Sequence, residues 1–271
     1  MNLVSDNDLK KIQLDLLKEF DKVCRKLNLK YTLFYGTMLG AIRHQGFIPW
    51  DDDIDVAMKR SEYNIFIEYC KNNETIFNLF STENTNKYPY LFAKITNKDT
   101  ILEEKNCNRR KIPYGAFIDI FPLDSCGKDM HEALKFNKKI YLKKVMLVSA
   151  NWKKFFINKN KNWYTQFFRF GFFLMSRFIN ENRLQKRVLR IIERYDSDNS
   201  KYVISIGGSY GKKEIVESSL FDEYIEVDFE QHKFYCIKEY DKYLSHTYGD
   251  YMQLPPMEKR VARHDFDVYY K

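Results

Sequence analysis

The chain has 271 residues, enough for one sizeable domain or two small ones. Hydrophobic residues make up 44% of it and charged residues 30%, which excludes a disordered, collagen-like or low-complexity chain. Five scattered cysteines without a CxxC pair argue against a disulfide framework or a zinc ribbon and fit a reducing cytosol. The first residues lack the pattern of a signal peptide, and no stretch is apolar enough to span a membrane, so we expect neither export by that route nor a transmembrane helix.

The net charge of +8 is unevenly distributed. Residues 135–190 contain fifteen Lys and Arg against one acid, Glu181, which gives this segment +14 and leaves the rest of the chain at −6. We call residues 135–190 the basic belt. It predicts a polyanionic partner, which is a nucleic acid, an anionic membrane or a phosphate-rich substrate.

The first 130 residues alternate helical and strand patterns. Ser5 and Asp8 resemble a capping box, and apolar residues then recur every three or four positions to Leu27, which predicts an amphipathic helix. Further elements are predicted in this order: a strand over 29–35, a turn at Gly36-Thr37, a helix over 38–43, a strand in the second half of 51–58, a helix over 60–70, and strands over 90–96 and 115–121. Residues 1–130 are therefore predicted to form a mixed body of helices and strands.

Beyond residue 130 the pattern changes twice. Residues 131–200 are helical and basic, with no Gly- or Ser-rich linker, which favours a helical insertion over a separate domain. Residues 201–271 are predicted to pack back on the body. Their predicted elements are a strand over 202–206, a turn at Gly207-Gly208, a strand over 224–229, the start of a helix in 235–243, and a rigid aromatic tail.

Three carboxylates are spaced two residues apart at Asp51, Asp53 and Asp55. If the segment is extended, they leave one face of a strand together. Their repulsion costs free energy unless a cation neutralises it, and hard cations such as Mg²⁺ prefer oxygen ligands. A solvated acidic turn is the alternative interpretation of the same run.

Two neighbouring features favour the chemical interpretation. Gly36 and Thr37 lie at a predicted strand-to-helix turn, where backbone amides and the helix dipole can cradle a phosphate. Asp119 is a single acid in an apolar strand, and such a group is costly to bury unless it is paired or bound to a metal. A glycine turn followed by paired acids suits phosphate-group transfer.

These motifs resemble known signatures. An apolar-Gly-Thr sequence followed by Asp-apolar-Asp-apolar resembles the nucleotidyltransferase fold of the DNA polymerase β superfamily, although the gap is somewhat longer than usual. Residues 35–55, YGTMLGAIRHQGFIPWDDDID, resemble the hallmark block of the LicD family, bacterial phosphorylcholine-type transferases that are also similar to fukutin and fukutin-related protein. The resemblance continues at Lys94-Ile95 with Thr100, at 118–124, at 248–256 and at Lys259-Arg260, but Arg263-His264-Asp265 stands where paired histidines are expected.

The resemblance implies a fold and a metal site. The expected fold class is α+β, a nucleotidyltransferase core with a mixed sheet flanked by helices plus the basic helical insertion. Asp53 and Asp55 are expected to hold Mg²⁺, or Mn²⁺, with Asp51 beside them. Asp119 is expected to supply the third carboxylate, which ligates the metal or takes a proton from the acceptor hydroxyl.

The resemblance also implies how a phosphate is held. Gly36 and Thr37 are expected to bind it through backbone amides. Arg43 and Lys94 are candidate cationic contacts, because Arg offers a bidentate fork and Lys a point charge. Ordinary surface cations are the alternative for both.

The implied donor is CDP-choline or another CDP-alcohol. Its alcohol phosphate would pass to a sugar hydroxyl of a cell-surface glycan, such as lipopolysaccharide, teichoic acid or capsule, and CMP would leave. Choline would need an aromatic or acidic box, for which the candidates are Tyr114, Tyr210, Tyr248 and Tyr251. A nucleotidyltransferase that moves a nucleoside monophosphate to a small molecule and releases pyrophosphate is the alternative.

The basic belt mixes aromatic rings and cations over 152–178, as interfacial segments do. This predicts a cytoplasmic protein that docks on the inner leaflet of the plasma membrane, where acceptor glycans can be lipid-linked. A helical subdomain with an aromatic core is the alternative. A nucleic-acid partner is not expected, because the four aspartates would repel it.

Overall fold

A computed structural model describes residues 2–158, 162–196, 199–261 and 266–271. Its helices are α1 (Asp6–Lys26), α2 (Tyr35–His44), α3 (Arg60–Asn72), α4 (Met130–Asn151), α5 (Trp163–Ser176), α6 (Glu181–Tyr195) and α7 (Tyr240–Tyr248). Its strands are β1 (Thr32–Leu33), β2 (Asp55–Lys59), β3 (Phe77–Phe80), β4 (Ala93–Asn97), β5 (Thr100–Glu104), β6 (Phe117–Gly127), β7 (Tyr202–Ser205), β8 (Ile215–Glu217), β9 (Tyr224–Phe229), β10 (His232–Ile237) and β11 (Phe266–Tyr270). The α+β class with a mixed sheet flanked by helices is confirmed.

The long strand β6 organises the main sheet, in which the order is β1-β2-β6-β4-β3. β2 runs parallel to β6, whereas β4 pairs with the first half of β6 in the antiparallel sense. The second half of β6 pairs instead with β7, which in turn pairs with β8. The sheet therefore changes neighbours along β6 and curls, and ten of the eleven β6 residues are buried.

Apolar clusters on β6 and its neighbours attach the helices to this sheet. Phe20 of α1 and Phe66 of α3 meet at a ring distance of 5.0 Å in the main core, which also contains Ile118 and Ile120 of β6. A second cluster joins α4, α6 and β6 to β8 through buried side chains that include Phe136. Since their apolar area leaves water together, the helices and the curled sheet stabilise one another.

The first helix confirms its sequence signals. Ser5 caps α1, because its side chain accepts a hydrogen bond from the Asp8 amide at 3.2 Å. Acids occupy the first turn and Arg25 and Lys26 the last, which matches the helix dipole. The predicted helix over 60–70 is likewise confirmed as α3.

Two predicted elements were wrong in extent. The strand expected over 29–35 is reduced to two residues, because Tyr35 turns into the left-handed region (φ 40°) and begins α2. The helix expected within 235–243 starts only at Tyr240, because the residues before it form β10. β9 and β10 make a tight hairpin through Glu230 and Gln231, both at positive φ, and neither residue is the glycine or asparagine that signals such a turn.

Residues 131–200 contain α4, α5 and α6, and residues 201–271 return to the main sheet as β7 and β8. β11 pairs with β5, so the end of the chain lies beside residues 100–104. Among the described residues, no helix combines the length and the apolar character needed to cross a bilayer.

A buried ion pair connects α3 to β6. Arg60 Nε and Nη2 lie 2.6 and 3.0 Å from the two carboxylate oxygens of Asp124, whose side chain is fully buried. Burial raises the pKa of the Asp124 carboxyl, and Arg60 opposes that rise. The bidentate geometry compensates two charges that water does not reach.

We predict that Asp124→Ala lowers the free energy of unfolding by about 3–5 kcal/mol, because Arg60 is left buried without its partner. Urea denaturation followed by circular dichroism measures the change. The double variant Arg60→Met, Asp124→Leu serves as the control and should lose less than the single variant. A single variant as stable as the parent would contradict the assigned role of the pair.

Candidate functional site

Strand register brings three ionisable residues into one row across the sheet. Asp55, the first residue of β2, lies opposite Asp119 of the parallel strand β6. Lys94 of β4 lies opposite Asp119 on the other side. The Asp119 amide also donates to the Ile54 carbonyl at 2.9 Å, which fixes the start of this pairing.

A second group of acids precedes β2 in a loop. One carboxylate oxygen from each of Asp51, Asp52 and Asp53 lies within 4.8 Å of the others, and all three residues are half-buried. The loop is tied down by buried Gln13 of α1, whose amide nitrogen donates to the Asp52 carbonyl at 2.8 Å. Asp52 was not singled out from the sequence, because alternation along a strand would turn it away, whereas β2 begins only at Asp55.

The first turn of α2 supports both groups of acids. A Cβ on Gly36 would stand 2.4 Å from a carboxylate oxygen of Asp51, so only glycine lets that carboxylate approach the helix start. Thr37 accepts a hydrogen bond from the Asp55 amide through Oγ1 at 2.8 Å and is buried. The Thr37 side chain thus positions Asp55, while the first-turn amides have no acceptor within the helix.

Asp55 carries the strongest electrostatic conflict of the site. Burial raises the pKa of its carboxyl well above the usual range, and the carboxylates of Asp53, Asp119 and Asp51 raise it further, while Lys94 opposes them. Negative charge is therefore concentrated where the surrounding protein weakens its screening by water. Oxygen donors at this density fit a hard divalent cation, so the residues present suit Mg²⁺ or Mn²⁺.

These acids open into a cavity of about 960 Å³. One wall holds Gly36 and the carboxylates of Asp51, Asp53, Asp55 and Asp119. The facing walls come from residues 207–210 and from the C-terminal segment 248–261. The cavity is large enough for a nucleotide-sized ligand beside the acids.

Two arginines line the cavity on the C-terminal side. Arg43 donates from Nη1 to the Tyr251 carbonyl at 2.6 Å, and Arg260 donates from Nε to the Pro255 carbonyl at 2.8 Å. Burial lowers the pKa of Arg43, and the positive charge of Arg260 lowers it further. Two nearby cations in a cavity favour an anionic ligand. In the sequence, Arg260 was part of a family motif, but no role was predicted for it.

Lys94 has a different environment from the one predicted. Its Nζ lies 2.6 Å from Asp119 Oδ1, both side chains are less than 10% exposed, and Lys94 does not line the cavity. Its ammonium also lies 3.6 Å from the centre of the Phe117 ring. The structure therefore places Lys94 behind the acids, where it orients Asp119.

Three of the four candidate tyrosines for an aromatic box line the cavity: Tyr210, Tyr248 and Tyr251. The Tyr210 and Tyr248 rings stand edge to face at 5.5 Å, and their hydroxyls are hydrogen-bonded at 3.1 Å. Tyr114 is buried in a separate apolar cluster. Arg263, His264 and Asp265 lie outside the described residues.

A buried network holds the wall at residues 207–210. Tyr35 donates from its hydroxyl to Glu214, and Glu214 accepts a hydrogen bond from the Tyr210 amide at 2.8 Å. Lys144 of α4 donates to the Gly208 carbonyl. The helical segment 131–200 thus contacts a cavity wall, although the sequence gave no signal for this.

Comparison with known proteins places the chain in a family. Over 262 residues it is 30% identical to the lipopolysaccharide cholinephosphotransferase LicD of Haemophilus influenzae, and the match covers 94% of each chain. The chain belongs to the LicD family.

Two further matches cover parts of this LicD-type phosphotransferase. A family model described as LicD/FKTN/FKRP, nucleotidyltransferase domain, matches residues 28–148, which include all the acids of the site. An uncharacterized protein of Rickettsia prowazekii is 37% identical over 68 residues, 22% of this chain and 26% of that protein. The cavity walls at 207–210 and 248–261 lie outside the segment that the family model matches.

We predict that Asp55→Asn stabilises the metal-free protein. Asparagine keeps the shape but removes the buried charge that its acidic neighbours repel, so the free energy of unfolding in chelator at pH 8 should rise by about 1 kcal/mol. Urea denaturation in the presence of EDTA measures it. Asp228→Asn, on an exposed hairpin position, is the matched control and should change little. A less stable Asp55→Asn variant would show that the charge is favourably compensated.

Proposed function

We propose that this LicD-type enzyme transfers phosphocholine from CDP-choline to a sugar hydroxyl of a lipopolysaccharide-type glycan, with a divalent metal ion bound and with CMP as the second product. The acid cluster in the wall of a nucleotide-sized cavity carries this proposal. The Haemophilus relative supports the choice of group and acceptor, because its name describes a lipopolysaccharide cholinephosphotransferase. We place the reaction in the cytoplasm, because scattered free cysteines fit a reducing compartment.

We propose that the core works as a nucleotidyltransferase fold does. Asp51, Asp53 and Asp55 would hold Mg²⁺, or Mn²⁺, with Asp52 as an additional oxygen ligand. Bound there, the ion would neutralise the diphosphate of the donor and polarise the phosphorus under attack. The pKa of Asp55, raised by burial and by its acidic neighbours, supports this assignment because a cation would relieve that repulsion.

Asp119 would accept the proton of the attacking sugar hydroxyl. Its Oδ1 accepts a hydrogen bond from buried Lys94, which fixes the orientation of the carboxylate beside Asp55 of β2. The sugar oxygen then forms a bond to the choline-bearing phosphorus as the bond from that phosphorus to the bridging oxygen breaks. CMP leaves with the bridging oxygen, so atoms and charge balance.

The remaining cavity residues would bind the donor. First-turn amides of α2 at Gly36 suit one phosphate, and Arg43 and Arg260 suit the other negative oxygens or the CMP leaving group. The perpendicular rings of Tyr210 and Tyr248 offer faces to the trimethylammonium of choline. Most of the rate enhancement would come from positioning and charge neutralisation.

Product analysis tests the proposal. We predict that the purified enzyme, Mg²⁺, CDP-choline and a glycan acceptor yield CMP and a phosphocholine-bearing product, measured by anion-exchange chromatography and mass spectrometry. Asp119→Asn should slow CMP release by about 10²–10⁴-fold, because it removes the base without changing the volume of the side chain. Asp53→Asn should be inactive, because it removes a proposed metal ligand, and should not recover with excess Mg²⁺ at millimolar concentration.

The matched control is again Asp228→Asn, which should retain full activity. Replacing CDP-choline by CDP-glycerol, CDP-ribitol or CDP-ethanolamine tests the transferred group. Release of pyrophosphate from CTP, with no CMP from any CDP-alcohol, would contradict the proposal and favour transfer of a nucleoside monophosphate.

A further inference from the structure

Helix α5 exposes mainly apolar side chains, whereas a helix on a water-facing surface normally exposes polar ones. Of its fourteen residues only Ser176 is buried. Its exposed large apolar side chains, with Phe178 just beyond its end, are Trp163, Tyr164, Phe167, Phe168, Phe170, Leu174, Met175 and Phe178. Trp163 is 83% exposed and Phe178 91%. These positions recur every three or four residues, so they form one continuous apolar face, which we call the α5 face.

The opposite side of α5 turns its polar groups toward the protein. The Arg169 guanidinium lies 4.9 Å from the centre of the Trp152 ring, and Arg177 donates from Nη2 to the Trp152 carbonyl at 2.6 Å. Gln166 donates from Nε2 to the Asn158 carbonyl, outside the helix, at 2.5 Å. Polar contacts therefore fix the orientation of the helix, and rotation to bury the α5 face would break them.

The sequence segment that contains α5 carries charge of one sign. Residues 152–179 contain six Lys and Arg and no acid. Lys153 and Lys154, between Trp152 and the start of α5, are exposed. An apolar aromatic face bordered by cations matches the interface of an anionic bilayer, where rings reach the acyl boundary and cations meet lipid phosphates.

We propose that the α5 face docks this protein on the surface of an anionic lipid bilayer, with α5 lying in the plane of the interface. At 14 residues, α5 is about 21 Å long and contacts one leaflet without crossing it. A second copy of the chain is disfavoured as the occupant, because it would bring together two copies of a segment that contains cations and no acid.

The residue on which α5 packs, Trp152, is connected to the candidate active site through α4. Lys144 of α4 donates to the Gly208 carbonyl in the cavity wall, and Trp152, which contacts Arg169 and Arg177, directly follows the end of α4. Seven residues separate Lys144 from Asn151, about 11 Å along the helix. Docking would therefore hold the cavity close to the bilayer.

Vesicle sedimentation tests this inference independently of enzymatic activity. The full chain should bind vesicles of phosphatidylcholine and phosphatidylglycerol (7:3) and bind pure phosphatidylcholine vesicles at least tenfold more weakly. Phe167→Ser with Phe168→Ser should reduce binding to the anionic vesicles by about tenfold or more, because both rings are mostly exposed and leave the water on docking. Lys154→Glu should reduce it by about fivefold or more.

The matched control is Ile65→Ser with Ile76→Ser, two exposed apolar residues outside residues 152–179. This control should bind like the parent, and circular dichroism checks that each variant is folded. Absence of parent binding, or equal binding by the Phe167, Phe168 variant, would overturn the proposal. Analytical ultracentrifugation in the absence of lipid tests whether a second copy of the chain binds the α5 face. A dimer that is lost in the Phe167, Phe168 variant would assign the face to a second copy and overturn the proposal.

Discussion

Parallel pairing of β2 with β6 sets the main constraint on this molecule, since it places the half-buried Asp55 directly opposite the buried Asp119. Two such groups repel, and burial strengthens the repulsion. Lys94 opposes it from the third strand of the row, by direct contact with Asp119. Local contacts such as the hydrogen bond from the Asp55 amide to Thr37 hold the acids in place against that repulsion.

The rest of the chain builds a cavity around this concentration of charge. The acids lie within the segment that matches the family model, whereas the arginine and tyrosine walls are completed by residues 207–261. The nearly full-length match to the Haemophilus relative is consistent with a site that needs both halves. The buried network of Tyr35, Glu214 and Lys144 joins these halves through the loop at Gly208. A substitution at Lys144 in α4 would therefore alter the cavity wall at Gly208 without contacting the acids.

Features that depend on residues close together in the chain could be predicted from the sequence. The Ser5 cap and the apolar period predicted α1, and the spacing of acids around a glycine turn pointed to Asp51, Asp53, Asp55 and Asp119, which the structure gathers in one cavity wall. A family resemblance supplied the roles expected of them. Asp52 was not predicted as a site residue, because Asp51, Asp52 and Asp53 lie in a loop, where the alternation of side chains along a strand does not apply.

Contacts between residues far apart in the chain could not be predicted from the sequence. Lys94 was expected on a phosphate, but strand register buries it against Asp119, 25 residues away in the chain. Pairing of β11 with β5, and the contact of Lys144 with Gly208, join segments that share no pattern. Aromatic rings of α5 were equally compatible with a core or a surface, and the structure divides them: Phe173 packs against Trp152, whereas Phe167 and Phe168 are exposed.

The most direct test of the central claim, that these acids bind a metal ion and a CDP-alcohol together, is isothermal titration of the protein with CDP-choline in the presence and absence of Mg²⁺, with Asp53→Asn in parallel. We predict binding that requires Mg²⁺ in the parent and is lost in the variant. Equal binding with and without Mg²⁺, or unchanged binding by Asp53→Asn, would contradict the claim.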